Sequence, residues 1–176
     1  MLISSGNFDK SNKLGEGSFA IVYKGHAGAH RNQLLQAARD PAEAALIAEW
    51  PAVVAIKVDK KKEVKGEDGA KAEAREAYRL KAEAEEILVC SKYRHRFMCS
   101  LLGGSVDGPT RCLVFEHCPG GSIKERMRGT VIDARTGKPF PPLTWEHRLR
   151  LAAQTCSALE YLHVAGTATQ KATTHA

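Results

Sequence analysis

Two pieces of this sequence carry residues suited to gripping an anion. The first is "KLGEGSFAIVYKG", Lys13 to Gly25. Here Gly15-Glu16-Gly17-Ser18-Phe19 joins two strand-like runs and presents several backbone N–H groups to one side. Glycine lets the backbone approach an anion closely and take positive φ. A plain glycine turn between two strands is the alternative. The second piece is Lys57, the single charge inside the apolar run "AVVAIKV" (52–58). A lysine buried without a partner is costly. It lies either in solvent on an edge strand or in a cleft, where it binds phosphate beside a carboxylate. Glu83, Glu85 and Glu86, on a charged helix over 70–92, are the candidate carboxylates. A dinucleotide-binding loop is excluded, because a helix must open directly after its glycines. Here "AIVYKG" continues as strand.

The elements that position these residues follow from period and punctuation. Residues 12–24 read strand, glycine turn, strand, with period two over Ile21 to Lys24. Residues 27–50 are alanine-rich with helical spacing. Asp40, Pro41 and Glu43 supply an N-cap, a first-turn proline and a carboxylate at N3, which predicts a helical insert. Residues 70–92 have strong helix composition, with a docking end in "EEILVCSKY". "SLLGGSV" (100–106) and "TRCLVFEHC" (110–118) read as strands around the turn Asp107-Gly108-Pro109. "PGGS" precedes a short helix over 123–127, and 128–142 is a loop. Residues 143–163 form an amphipathic helix with apolar positions 149, 152, 156, 159 and 162, started by Thr144. The segment 164–176 is small and polar and is expected to be disordered.

Composition narrows the setting. With 43% apolar residues in 176, the chain can bury a core, hiding roughly 70% of its unfolded surface. The net charge of +6 owes much to Lys60, Lys61, Lys62 and Lys65, read as a solvated turn. It therefore does not argue for nucleic acid. Five cysteines without a C-x-x-C pair exclude a zinc site. No apolar run is long enough to span a bilayer, and the start is not a signal peptide. A reduced, cytoplasmic protein is the expectation.

Taken in order, Gly15-x-Gly17-x-Phe19-Ala20-x-Val22 and then Val54-Ala55-Ile56-Lys57 resemble the start of a protein kinase domain. "EEILVCSKYRHRFMCSLLGGSVDGPTRCLVFEHCPGGSIKERM" is similar to the helix, two strands and hinge that follow in receptor-like and tyrosine-kinase-like serine/threonine kinases. "PPLTWEHRLRLAAQTCSALEYLH" resembles the helix before their catalytic loop. The resemblance implies an α+β fold over residues 8–163. Its first lobe is an antiparallel sheet plus one helix at about 8–117, with a hinge at about 116–121. The first helices of a second lobe occupy 122–163, and the helical insert lies at about 27–50.

It further implies ATP as ligand. Leu14, Gly15, Glu16, Gly17, Ser18, Phe19, Ala20 and Val22 would cover the nucleotide, with Val22 and Ala55 on the adenine. Lys57 would hold the α- and β-phosphates. Glu86, nine residues before His95, is the implied ion-pair partner, with Glu83 and Glu85 as fallbacks and Ile87, Val89 and Cys90 on the docking side. Phe115 falls at the gatekeeper position. Glu116 C=O and Cys118 N–H fall where the hinge bonds the base.

Three departures stand out. Ala20 replaces the loop's third glycine, which costs on the order of 1 kcal/mol if positive φ is needed there. Thirty-four residues separate Val22 from Lys57, and the insert fills that gap cheaply. The family's H-R-D-x-x-x-x-N and D-F-G, which place the catalytic base and the Mg²⁺ ligands, are missing. No aspartate follows Asp133 and no asparagine follows Asn32. Weak ATP binding without phosphoryl transfer is expected of these residues. They are either the front part of a serine/threonine-type kinase or a non-catalytic module acting on a protein partner such as a full-length kinase.

Overall fold

The computed structural model describes residues 8–28, 31–60, 69–105, 111–133 and 135–173, with only the backbone over 167–173. The fold is α+β. The strands are β1 (Lys13–Glu16), β2 (Ala20–His26), β3 (Val53–Asp59), β4 (Leu101–Ser105) and β5 (Cys112–Glu116). They pair antiparallel in the order β1-β2-β3-β5-β4. The helices are α1 (Arg31–Gln36), α2 (Pro41–Ala48), α3 (Gly69–Lys92), α4 (Ile123–Arg128) and α5 (Trp145–Thr173). Among the described residues no helix is long and apolar enough to cross a membrane.

Two compact units form. One joins the residues up to Ser91 to Ser100–His117, and the other joins Lys92–Cys99 to the residues from Cys118 on. The division falls inside the 116–121 stretch read as a hinge. Residues 92–99, read with the first lobe, instead join the second unit. Their aromatic rings explain why: His95 stacks on Tyr161 of α5 at 5.3 Å, and Tyr93 meets it edge-on at 6.4 Å.

In the first unit, side chains two apart on a strand share a face. On β3, Val54, Ile56 and Val58 face one way. With Ala27, Cys112 and Val114 they build the core, and Leu34, Trp50 and Leu102 pack against it. The insert thus becomes a covering layer for a sheet face. Its second helix starts as its sequence dictates: Asp40 accepts the Glu43 N–H at 2.8 Å, with Pro41 in the first turn. Two glycines of β4 make close approaches, Gly103 to the insert and Gly104 to the paired strand β5. A Cβ on Gly103 would lie 3.0 Å from the Trp50 ring, and one on Gly104 would lie 2.7 Å from the Cys112 carbonyl oxygen.

The second unit is held by local devices. Ser122 and Glu125 form a capping box on α4. Gly129 closes that helix at φ +70, a conformation glycine adopts without strain. Thr144 accepts the His147 N–H at the start of α5. Two expectations for α5 differ from the structure. The helix continues through Thr173, over most of the segment expected to be disordered. Alanines at 165, 168 and 172 favour helix, and no proline intervenes. The apolar stripe also stays open: Leu149, Ala152, Cys156 and Leu159 are exposed, and the buried position is Ala158. Trp145, in the first turn, is 72% exposed. The turn 107–109 and the lysines at 61, 62 and 65 lie outside the described residues.

Candidate functional site

Strand register assembles the candidate residues. Gly15 pairs with Val22, Val22 with Lys57, and Lys57 with Leu113. Residues directly opposed on antiparallel strands share a face. One row therefore runs across four strands on the side away from the insert. Ala55, two residues from Lys57 and opposite Phe115, lies on the same face. Burying the other face of β3 against the insert fixes this orientation, because a slip of one residue would turn Lys57 into the core.

Lys57 Nζ is ion-paired with Glu86 of α3, and each side chain is 31% exposed. This separates the three carboxylates. Glu83 turns instead to Arg111, at 3.3 Å. Glu85 lies outward beside Lys81, at 4.0 Å. Helical geometry accounts for the sorting, since 83 and 86 share a face while 85 is rotated away. The docking side differs from expectation in one place: Ile87 and Cys90 are half-buried, but Val89 is exposed.

The glycine loop is shaped by its neighbours. Gly17 N–H donates to the Ala20 carbonyl at 2.9 Å, and Lys60 N–H donates to that of Phe19 at 2.9 Å. Lys60 Nζ donates to the Gly17 carbonyl at 2.8 Å and pairs with Glu16, which also pairs with Lys13. The Lys13 and Lys60 ammonium groups pull the Glu16 carboxyl down to about 2. Lys60 is thus no part of a solvated run, and sequence reasoning missed its role. Its position one residue beyond β3 was the available signal. Neither Gly15 nor Gly17 has positive φ, and neither does Ala20, which is buried on β2. Alanine at 20 therefore carries no strain. A Cβ on Gly15 would meet nothing within 4 Å, so the loop keeps open space there. Leu14, Ser18 and Phe19 are exposed. The Phe19 ring lies 6.2 Å from that of Tyr78 on α3.

Phe19, Ala20, Lys57, Glu83 and Glu86 help line a void of about 90 Å³. That is well below the roughly 300–1,000 Å³ of ligand pockets. A larger space of about 730 Å³ lies between the insert helices and β4–β5, but its chemistry is mainly aliphatic. The smaller void is the one lined by the charged side chains Lys57, Asp59, Arg79, Glu83 and Glu86. At the strand end, Glu116 N–H donates to the Ser100 carbonyl at 3.0 Å, and its carboxylate accepts the Ser100 N–H at 3.1 Å. Cys118 belongs to the second unit.

Residues 8–168 match the family model of protein tyrosine and serine/threonine kinases. The chain belongs to that kinase family. It is 29% identical over 162 residues to wall-associated receptor kinase-like 20 of Arabidopsis thaliana, covering 92% of this chain and 19% of that one. It is 31% identical over 157 residues to U-box domain-containing protein 70 of Oryza sativa subsp. japonica, covering 89% and 14%. A shorter match to U-box domain-containing protein 33 of Arabidopsis thaliana is 39% identical over 79 residues, covering 45% and 8%. The kinase sequence here thus spans less than a fifth of these curated relatives.

Proposed function

We propose that residues 8–163 are the nucleotide-binding front of a serine/threonine-type protein kinase domain. Leu14 and the 15–20 loop cover ATP, while Val22 and Ala55 pack on the adenine. Lys57 bonds the α- and β-phosphates, and Phe115 stands behind the base. The Glu116 carbonyl and the Cys118 N–H bond the base edge. Five cysteines without a disulfide support a reduced, cytoplasmic setting.

One observation carries this reading. The Lys57–Glu86 pair stands in register with Gly15 and Val22 in a chain of the kinase family. A carboxylate beside the ammonium fixes its direction, so it meets phosphate without reorganising. The open space beside Gly15 leaves room for an anion to approach the loop. The residues present do not fit Mg²⁺. Neither H-R-D nor D-F-G occurs in the 176 residues, and Asp133 accepts the Arg135 N–H and pairs with its guanidinium. Phosphoryl transfer depends on metal-held charge and positioning. These residues on their own are therefore expected to bind nucleotide weakly and to transfer no phosphate.

Thermal unfolding with millimolar ATP tests the role of Lys57. The expected result is a rise in Tm of roughly 2–4 °C for the wild type and none for Lys57→Ala. Equal shifts in both would remove the assigned role. Transfer of radiolabelled phosphate by the purified 176-residue chain would overturn the expected inactivity.

A further inference from the structure

α3 runs 24 residues, and none of its residues is buried. Its large apolar side chains Tyr78, Leu80, Leu88 and Val89 are exposed. Docked helices are ordinarily held by an apolar stripe, and here that stripe is thin. A charged stripe at helical spacing faces the sheet instead: Glu76, Arg79, Glu83 and Glu86. The sheet answers with matched signs. Lys57 pairs with Glu86, and Asp59 pairs with Arg79. Arg111 reaches Glu83 at 3.3 Å and Glu76 at 3.9 Å. Lys57 and Asp59 share a face of β3. The Asp59 N–H donates to the Arg111 carbonyl at 3.2 Å, which sets Arg111 beside them. These charges are shielded: the side chains of Arg79, Asp59 and Glu83 are 15%, 14% and 11% exposed.

We propose that Asp59, Arg79, Glu83 and Arg111 form a positioning clamp that fixes where α3 lies along the sheet and so keeps Glu86 opposite Lys57. The clamp matters for nucleotide only if Lys57 is its phosphate ligand, and so it rests on the preceding reading. The order of signs selects one register. If α3 slipped by one turn one way, Glu83 would face Asp59 and Lys57 would lose its partner. Slipped the other way, Arg79 would face Arg111 and Glu76 would face Asp59. Like charges at such distances disfavour both alternatives. Burial, with Asp59 adding to it, pushes the Glu83 carboxyl above its usual range despite Arg111, Arg79 and Lys57. The pair therefore adds little net stability. Its effect is on position.

The test uses the 176-residue chain with Glu83→Arg, with Arg111→Glu and with both together. Glu83→Gln and Arg111→Gln serve as milder versions should a reversal prevent folding. Amide hydrogen exchange is read across α3 and β3, and ATP affinity is read by titration. Each single reversal should speed exchange along α3, leave β3 unchanged and weaken ATP binding roughly fivefold. The double reversal should restore both to within about twofold, since coupled residues are not additive. Unchanged α3 exchange in the singles, or a double variant as impaired as their sum, would overturn the clamp. If the wild type binds no ATP, the phosphate role of Lys57 fails, and the exchange data still decide the clamp alone.

Discussion

The insert-covered face of the sheet and the long helix α5 both carry apolar side chains at the period their secondary structure demands, but only the first is buried. On β3 and β5, Val54, Ile56, Cys112 and Val114 lie beneath Leu34 and Trp50 of the insert. On α5, Leu149, Cys156 and Leu159 remain exposed. Periodicity states which side chains line up, while burial needs a second layer to close over them. The sheet has its layer within the same unit, supplied by residues a shorter β2–β3 connection would not contain. Stability is therefore concentrated in the first unit, and α5 belongs to the low-stability end of the molecule.

The largest expected effect tests that contrast at its strongest point. Ile56 is fully shielded, and Ile56→Ala should destabilise the first unit by about 2–5 kcal/mol, read by urea unfolding. A loss near zero would mean that the insert does not seal the sheet. Next comes Gly104→Ala, whose methyl would press on the Cys112 backbone and on Leu113. It should cost about 1–3 kcal/mol in the same assay. A neutral result would show that β4 can shift against β5 at this point of the sheet.

A smaller effect concerns charge at the rim of the sheet. Glu16 titrates near 2, below the roughly 4.3 of an unfolded glutamate. Its contribution is present above the unfolded value and is lost as pH falls toward 2. An NMR titration of the carboxyl should show the low midpoint, and Lys60→Met should raise it. An unmoved midpoint would leave Lys13 as the sole cause. The smallest effect belongs to α5. Leu159 is 49% exposed, so Leu159→Ser should change stability by no more than about 0.5 kcal/mol. A loss of 2 kcal/mol would reveal that the stripe is covered after all.

What could be read from the sequence was local or fixed in spacing. The Asp40-Pro41 start of α2, the strand around Lys57 and the α+β fold were legible in this way. The residues alone left Glu83, Glu85 and Glu86 open as partners of Lys57, and only the resemblance to the kinase family, through the interval to His95, pointed to Glu86, which pairs with Lys57. What could not be read was non-local. Lys60 hides in a run of like charges, and only the strand pairing brings its ammonium to Gly17. Arg111 and Glu83 lie 28 residues apart, and no periodicity links them. The third-glycine position looked like a place of strain, yet the backbone enters β2 there with ordinary φ. The stripe on α5 was correctly spaced, but spacing carries no information about whether a covering layer is present.

The two tryptophans fall one in each unit. Trp50 lies against Gly103 on the covered sheet face, and Trp145 stands in solvent at the start of α5. Two colours of intrinsic fluorescence are therefore expected, a bluer one from the half-buried Trp50 that reports the sheet and a redder one from Trp145 that reports the helix. Replacing either with phenylalanine would isolate the other. Melting of the two units could then be followed separately in a single cuvette, without any attached dye.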